Sequence, residues 1–443
     1  MRVFSSRFTL MIGVALLLVA ASLVLAPAVI PAVDTPRILA DPAGIVGSGV
    51  TTSGYADQII STMQDRLQKT ANDPAALAGL GLAYLQKARE TNDPTFYGRA
   101  ETTLRSALAA QPNNLAALGG MGSLALSRHA FSEALDWGHK AQTLAPQAAY
   151  AYGVIADAQT ELGDYDAAVD TLQRMVNLRP DISSYSRISY ARELHGDTDG
   201  AITAMRQAVE AGGPAAENLG WTQVQLGNLY FNSGQLAAAE TAYNAALVAY
   251  PGYLHARAGL AQVRAAQGRS AEAIDLYKQA IAVVPLPQYL TALGDLYSMS
   301  GDTKAAQAHY DTVGQIFRIF AANGVNVDSE QAAFLADRDQ QAAEAVRLAQ
   351  AAAATRHDIH TQDTLAWALY RAGQYAAAQT AATQATRLGT RNGLILFHQG
   401  MIEAQLGDTA GARTHLGQAL AFNPYFSVKY VPQAHATLDG LAK

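Results

Sequence analysis

The chain has 443 residues, a net charge of −6, half its residues hydrophobic, 15% charged and no cysteine. So much apolar material excludes a disordered chain, and a mildly acidic balance argues against a nucleic-acid binder, which needs a basic surface. Without thiols there can be no disulfide, thiolate metal site, cysteine nucleophile or lipidated cysteine.

Residues 1–7 are short and basic, and Arg2 and Arg7 are the only charges before Asp34. Taking those two positive charges from −6 leaves −8 for the remainder. From Phe8 to Ala26 no charge occurs, and apolar residues continue past Pro27 to Val33. A secretory signal has an apolar stretch of roughly 7–15 residues and a spanning helix about 20, so residues 8–30 read as a transmembrane anchor. Ala26-Pro27-Ala28 has the small residues of a cleavage site, so a removed signal is the alternative. Either way Arg2 and Arg7 stay in the cytoplasm and the body lies outside it. Residues 31–54, rich in Pro, Gly, Ser and Thr, read as a flexible linker. In residues 55–71, Ile59, Ile60, Met63 and Leu67 recur at helical spacing and predict an amphipathic capping helix.

From residue 72 to 430 the chain repeats. Pro112, Pro146, Pro180 and Pro214 are each 34 residues apart, and Pro285 follows Pro251 by the same interval. Gly163, Gly234, Gly268 and Gly407 each precede a proline by 17 residues, and Gly196, Gly301 and Gly373 hold the same place in less regular units. Five residues after each of these glycines stands an alanine: Ala168, Ala239, Ala273, Ala412, Ala201, Ala306 and Ala378. Thirty-four residues hold two helices of about 14 and two turns. The glycine takes the left-handed position that ends the first helix. The alanine admits a close neighbour, and the proline ends the second helix. Gly122, Ala156, Gly227, Ala261, Gly294 and Gly400 supply small packing positions on the first helices.

In residues 220–251, Leu226, Gly227, Tyr230, Ala239, Tyr243, Ala246 and Pro251 stand in a pattern that residues 289–310 and 363–381 repeat. This pattern resembles the tetratricopeptide repeat family. The resemblance implies an all-α, right-handed solenoid of about nine or ten stacked helix pairs over 72–430, ended by a tail or capping helix at 431–443. It also implies that the first helices line a concave inner surface.

Three places depart from the period. Residues 88–95 are an insert that lengthens the turn of the first unit, and the fourth unit ends in AGGP with a reduced second helix. Between Gln315 and Asp358 a second helix runs on without a closing proline, and a shortened pair follows without a turn glycine. Asn323, Asn326, Asp328, Glu330 and Asp337 cluster at this joint. They form either a polar pocket or a loop with Asp328 or Ser329 capping the next helix.

No nucleophile motif is present, so no catalytic residue, cofactor or enzymatic activity is expected. His357 and His360, with Asp363 beyond, are weak candidates to ligate a metal, and a junction between repeats is the alternative. A ligand- or metal-binding module, or a weak hydrolase, at 315–363 is the competing functional reading. The main reading is a protein-binding scaffold. Projected on the family register, the inner wall carries Tyr150, Asp157 and Glu161, then Tyr190 and Glu193. Further along come Trp221, Asn228, Phe231 and Asn232, then His255, Gln262 and Asp295. Asp363, Trp367, Tyr370 and Arg371 close the series. Aromatic anchors beside hydrogen-bonding groups suit a partner site, and a merely solvated or packed inner face is the alternative. Family members that clasp a peptide carboxylate pair lysines with asparagines. Here Asn228 and Asn232 have no lysine beside them, so a neutral or basic protein segment is the expected partner.

Overall fold

The computed structural model describes residues 55–212, 216–339 and 341–441; the apolar amino-terminal segment and the linker lie outside the described residues. Among the described residues there are twenty-two α-helices and no strand, and no helix is long and apolar enough to cross a membrane. A leading helix, α1 (Tyr55–Lys69), is followed by ten antiparallel pairs. The first five are α2 (Pro74–Thr91) with α3 (Thr95–Ala110), α4 (Leu115–Ser127) with α5 (Phe131–Leu144), α6 (Ala149–Leu162) with α7 (Tyr165–Leu178), α8 (Ile182–Leu194) with α9 (Thr198–Ala211), and α10 (Ala216–Asn232) with α11 (Leu236–Ala249). The second five are α12 (Leu254–Ala266) with α13 (Ser270–Val283), α14 (Pro287–Met299) with α15 (Thr303–Ala322), α16 (Asp328–Asp337) with α17 (Ala342–Ala353), α18 (Ile359–Arg371) with α19 (Tyr375–Ala385), and α20 (Gly393–Leu406) with α21 (Thr409–Phe422). A last helix, α22 (Tyr430–Leu441), ends the row.

The repeating residues act as their chemistry dictates. Gly163, Gly196, Gly234, Gly268, Gly301, Gly373 and Gly407 all have φ between 73° and 86°, a region that costs a residue bearing Cβ. The alanines five residues later are all buried. Before six of the closing prolines the chain leaves the helix, at Gln111, Arg179, Tyr250, Val284 and Asn423 for extended backbone and at Ala145 with φ −139° and ψ 80°, because the proline ring crowds a helical predecessor. Each still donates its amide to the carbonyl four residues back. Of the aspartates that follow a turn glycine, Asp197, Asp302 and Asp408 accept an amide of the next helix's first turn with their side chains, whereas Asp164 does not.

Helix packing runs along the chain, each pair against the next. First helices of successive pairs also pack on one another far more than second helices do, so the row curves with the first helices inside. Burial agrees: α4 is buried over nearly its whole length, whereas α5 buries only Phe131, Ala134, Gly138 and Ala141.

The irregular segments resolve as follows. The insert at 88–95 extends α2 to Thr91 instead of lengthening the turn, which is the short Asn92-Asp93-Pro94 with Asn92 left-handed. The fourth pair's α9 has the same 14 residues as its counterparts and is not reduced. The seventh pair's α15 runs to 20 residues, and the shorter α16 and α17 follow. In place of a turn glycine that pair has Asp339 and Gln341 at positive φ. Neither Asp328 nor Ser329 caps α16; the side chain of Asn326 accepts the Asp328 amide at 3.0 Å.

Because the row curves, its later pairs return to its earlier ones. The Gly163 turn meets the backbone of His357, the Gly196 turn meets Gly389, and the Gly234 turn meets Asn423. Each contact joins the turn of one pair to the junction six pairs further on. A small apolar cluster crosses the same line, with Tyr165, Tyr190 and Leu194 against Ile359, Ala385 and Ile395.

Candidate functional site

Many polar groups on the first helices are held by neighbouring elements. Arg187 on α8 donates two hydrogen bonds of 2.7 Å to Asp157 on α6. Asn228 accepts the Tyr243 hydroxyl at 2.8 Å, and Asp295 accepts the Tyr310 hydroxyl at 2.7 Å and Arg338 at 2.8 Å. Gln262 holds the equivalent register, half-buried. Tyr150 donates to the Leu115 carbonyl and lies over Gly119; burial raises its phenol. Trp221 and Phe231 pack partly buried against the core of the fifth pair, and the Trp221 indole nitrogen has no partner.

The carboxyl-terminal candidates enter a closed network. Trp367 is 1% exposed, stacks on His398 at 4.1 Å and on Tyr370 at 4.8 Å, and donates to Asp337 at 3.0 Å. Asp363 accepts from buried His398 at 2.9 Å. Arg371 pairs with Asp339 at 3.1 Å and lies over the Trp367 ring. Asp337 also accepts the Tyr430 hydroxyl at 2.7 Å, tying α22 to α16.

Glu161 and Tyr190 lie at the line where the row meets itself. Arg356 reaches Glu161 at 2.8 Å. Burial pushes the Glu161 carboxyl up against the pull of Arg356, and nearby Asp358, Asp157 and Glu330 add to the rise. Tyr190 stacks with His360. Exposed His357 uses its backbone amide to reach the Leu162 carbonyl at 3.2 Å, and burial lowers the His360 imidazole. Among the described residues no three His, Asp or Glu side chains converge on a position that could hold a metal. At the joint, Asn326 and Glu330 face His129.

A smaller set of groups on the inner faces keeps unused capacity. Glu193 on α8 accepts one hydrogen bond, 3.1 Å from exposed Asn232 on α10, and burial raises its carboxyl. Glu217 on α10 is open to solvent, yet crowding by protein raises it, opposed by Arg89 on α2. Burial lowers the Arg89 guanidinium and raises Glu90 beside it. On α12, His255 meets the Tyr289 hydroxyl at 2.6 Å and stacks edge-on against Tyr253 and Tyr289; burial pushes its imidazole down to about 4. Thus Glu217 on α10 interacts with Arg89 on α2 and with Tyr253 before α12, Asn232 ties α10 to Glu193 on α8, and His255 ties α12 to Tyr289 on α14.

Arg89, Glu90, Glu217, Tyr253 and Tyr289 are absent from the sequence-derived wall. Tyr289 follows His255 by one 34-residue period and could have been read from it. Arg89 and Glu90 sit on the helical extension that the sequence reading took for a turn.

Two family models described as tetratricopeptide repeat match the chain, one over residues 95–149, 224–288 and 364–425 and the other over 149–182. Cellulose synthase operon protein C of Pseudomonas fluorescens (strain SBW25) is 28% identical over 235 residues, which is 51% of this chain and 16% of that relative. Similar solved structures include the human IFIT1 dimer with PPP-AAAA, at 14% identity, 76% and 78% coverage of the two chains and TM-score 0.45. Yeast Tom70 has 13% identity, 88% and 96% coverage and TM-score 0.36. The Cut9–Hcn1 hetero-tetramer has 13% identity, 90% and 98% coverage and TM-score 0.38. With repeat models recurring along the chain and an array of ten helix pairs beneath them, this chain belongs to the tetratricopeptide repeat family.

Proposed function

We propose that the chain is a non-enzymatic scaffold that holds a protein or peptide segment against the inner faces of its first helices. One observation supports this most: the Glu193 carboxyl is raised by burial and has no direct ion pair, and Glu217, raised by crowding and likewise without a direct ion pair, lies near the Tyr253 phenol. A buried carboxylate gains when a cation arrives, and aromatic faces hold cationic and apolar groups alike. The partner is therefore a neutral or basic segment. The uncharged stretch at Phe8 to Ala26 supports an array outside the cytoplasm, anchored by its amino terminus or released after cleavage.

The test is photocrosslinking in membranes, with the crosslinker at inner Asn232 or at outer Val248, which is 83% exposed on α11. Adducts are expected from position 232 and are expected to decline in Glu193→Gln/Glu217→Gln. Adducts from 248 alone would place the partner on the outside. Extraction with alkaline carbonate checks the anchor: an anchored chain stays with the lipid pellet.

A further inference from the structure

The line where the row meets itself has a composition unlike the contacts between neighbouring pairs. Loops and single side chains make it, with two apolar clusters beside them: the one around Tyr190 and Ile359, and one in which Val325 and Val327 join the core of the first two pairs. The carbonyl of Arg128 accepts the Asn326 amide at 3.0 Å, and the Asn326 carbonyl lies 2.7 Å from His129 Nδ1. Tyr165 accepts the Ile359 amide at 2.8 Å. Arg387 donates to the carbonyl of Gly163 at 3.4 Å, and Asn423 donates to the carbonyl of Phe231 at 3.1 Å. At its centre Arg356 is buried between Glu161 and Asp358.

We propose that this seam is a clasp. The array has a closed form, seen here, and an open form in which the seam parts while every helix pair stays folded, exposing the inner faces from the side. Three observations carry this. Helix packing runs between chain neighbours, and among the described residues only two of the apolar clusters span the seam, so most of each pair's core is kept when the seam opens; solenoid stability is a sum of such neighbour terms. The buried charges regain their hydration on opening, which offsets the ion pairs lost. Curvature is set by small rotations between pairs, and six of them accumulate between the two sides of the seam, so a slight change in each moves the edges far apart.

The turn glycines supply the test. A Cβ on Gly163 would strike the backbone of His357, and one on Gly196 would strike the Gly389 carbonyl. A Cβ on Gly268 or Gly373 would meet nothing within 4 Å. Asparagine tolerates the left-handed backbone, so Gly163→Asn/Gly196→Asn loads the seam, and Gly268→Asn/Gly373→Asn is its control. The chain has no cysteine, so spin labels go on Asp164→Cys and Thr355→Cys, exposed positions on opposite sides of the seam. In the full chain, the seam variant is expected to shift the inter-label distance to longer values with unchanged helicity by circular dichroism, while the control keeps the short distance. A short distance retained in the seam variant overturns the proposal. So does a loss of helicity in the seam variant but not in the control, since the seam would then be part of the fold itself. In the unmutated chain, the amides of Asn326, His357 and Ile359 should exchange with deuterium at least tenfold faster than interior amides of α6 and α18. Equal protection would also overturn it. Neither readout depends on a partner, so each stands whether or not the scaffold reading holds.

Discussion

The phenol ring of Tyr243 stands where a side chain on Gly227 would have to go, its Cε1 2.5 Å from the position of the missing Cβ. The next first helix yields as well, because a Cβ on Gly259 would strike the same ring. Tyr243 is fully buried, and its hydroxyl reaches Asn228. Adding one methyl at 227 should therefore overpack the joint between two pairs and cost about 1–3 kcal/mol. That outweighs the roughly 0.5–1 kcal/mol gained when alanine replaces glycine in a helix. Gly417 on α21 has nothing within 4 Å of its missing Cβ, so Gly417→Ala should instead stabilise by about that gain. Urea denaturation followed by circular dichroism checks both signs.

The paired Asp157 and Arg187 join the first helices of the third and fourth pairs, and the Arg187 side chain is 5% exposed. Arg187→Met leaves a carboxylate with no counter-charge and should cost about 3–5 kcal/mol. The double change Arg187→Met/Asp157→Leu should recover most of that loss, because two apolar groups need no hydration. A double change as costly as the single one would mean that shape, and not charge, holds the joint.

His255 makes the fold sensitive to acid. Burial holds its folded-state imidazole at about 4 against an ordinary 6.5. Between these values the unfolded chain binds a proton that the folded chain does not, so stability falls as pH drops from about 6.5 towards 4. Below about 4 this contribution levels off. The slope is at most about 1.4 kcal/mol per pH unit. His255→Gln should flatten that segment of the stability–pH curve, measured by urea midpoints at successive pH values. An unchanged slope would place the acid sensitivity elsewhere.

Asp337 accepts the Trp367 indole and the Tyr430 hydroxyl. Replacing it by alanine strands both donors, at about 1–3 kcal/mol each. The loss should appear first as faster deuterium exchange in α22, since Tyr430 is buried at that helix's start.

How much of this was readable in advance depends on whether a residue acts locally. The turn glycines, their following alanines and the closing prolines act within one pair, so their spacing announced the helix pairs directly. The long α15 was equally visible from the missing proline. The extension of α2 was not, because Asn92 ends the helix in a conformation that glycine usually supplies. The inner wall was only half legible. Asp157, Asn228 and Asp295 look like free polar groups in the sequence, and their partners Arg187, Tyr243 and Arg338 are found only in three dimensions. Glu161 carried no sign of Arg356, since 195 residues separate them and no period links the two.

An ordinary solenoid can gain or lose a module without disturbing the rest, because each touches only its neighbours. Here Gly163, Gly196 and Gly234 each answer to a backbone six modules downstream, in step. Deleting one 34-residue module between them would slide every one of those encounters onto the wrong loop. The chain is thus bound to a count as well as to a pattern, and an array made to close in this way is not free to lengthen.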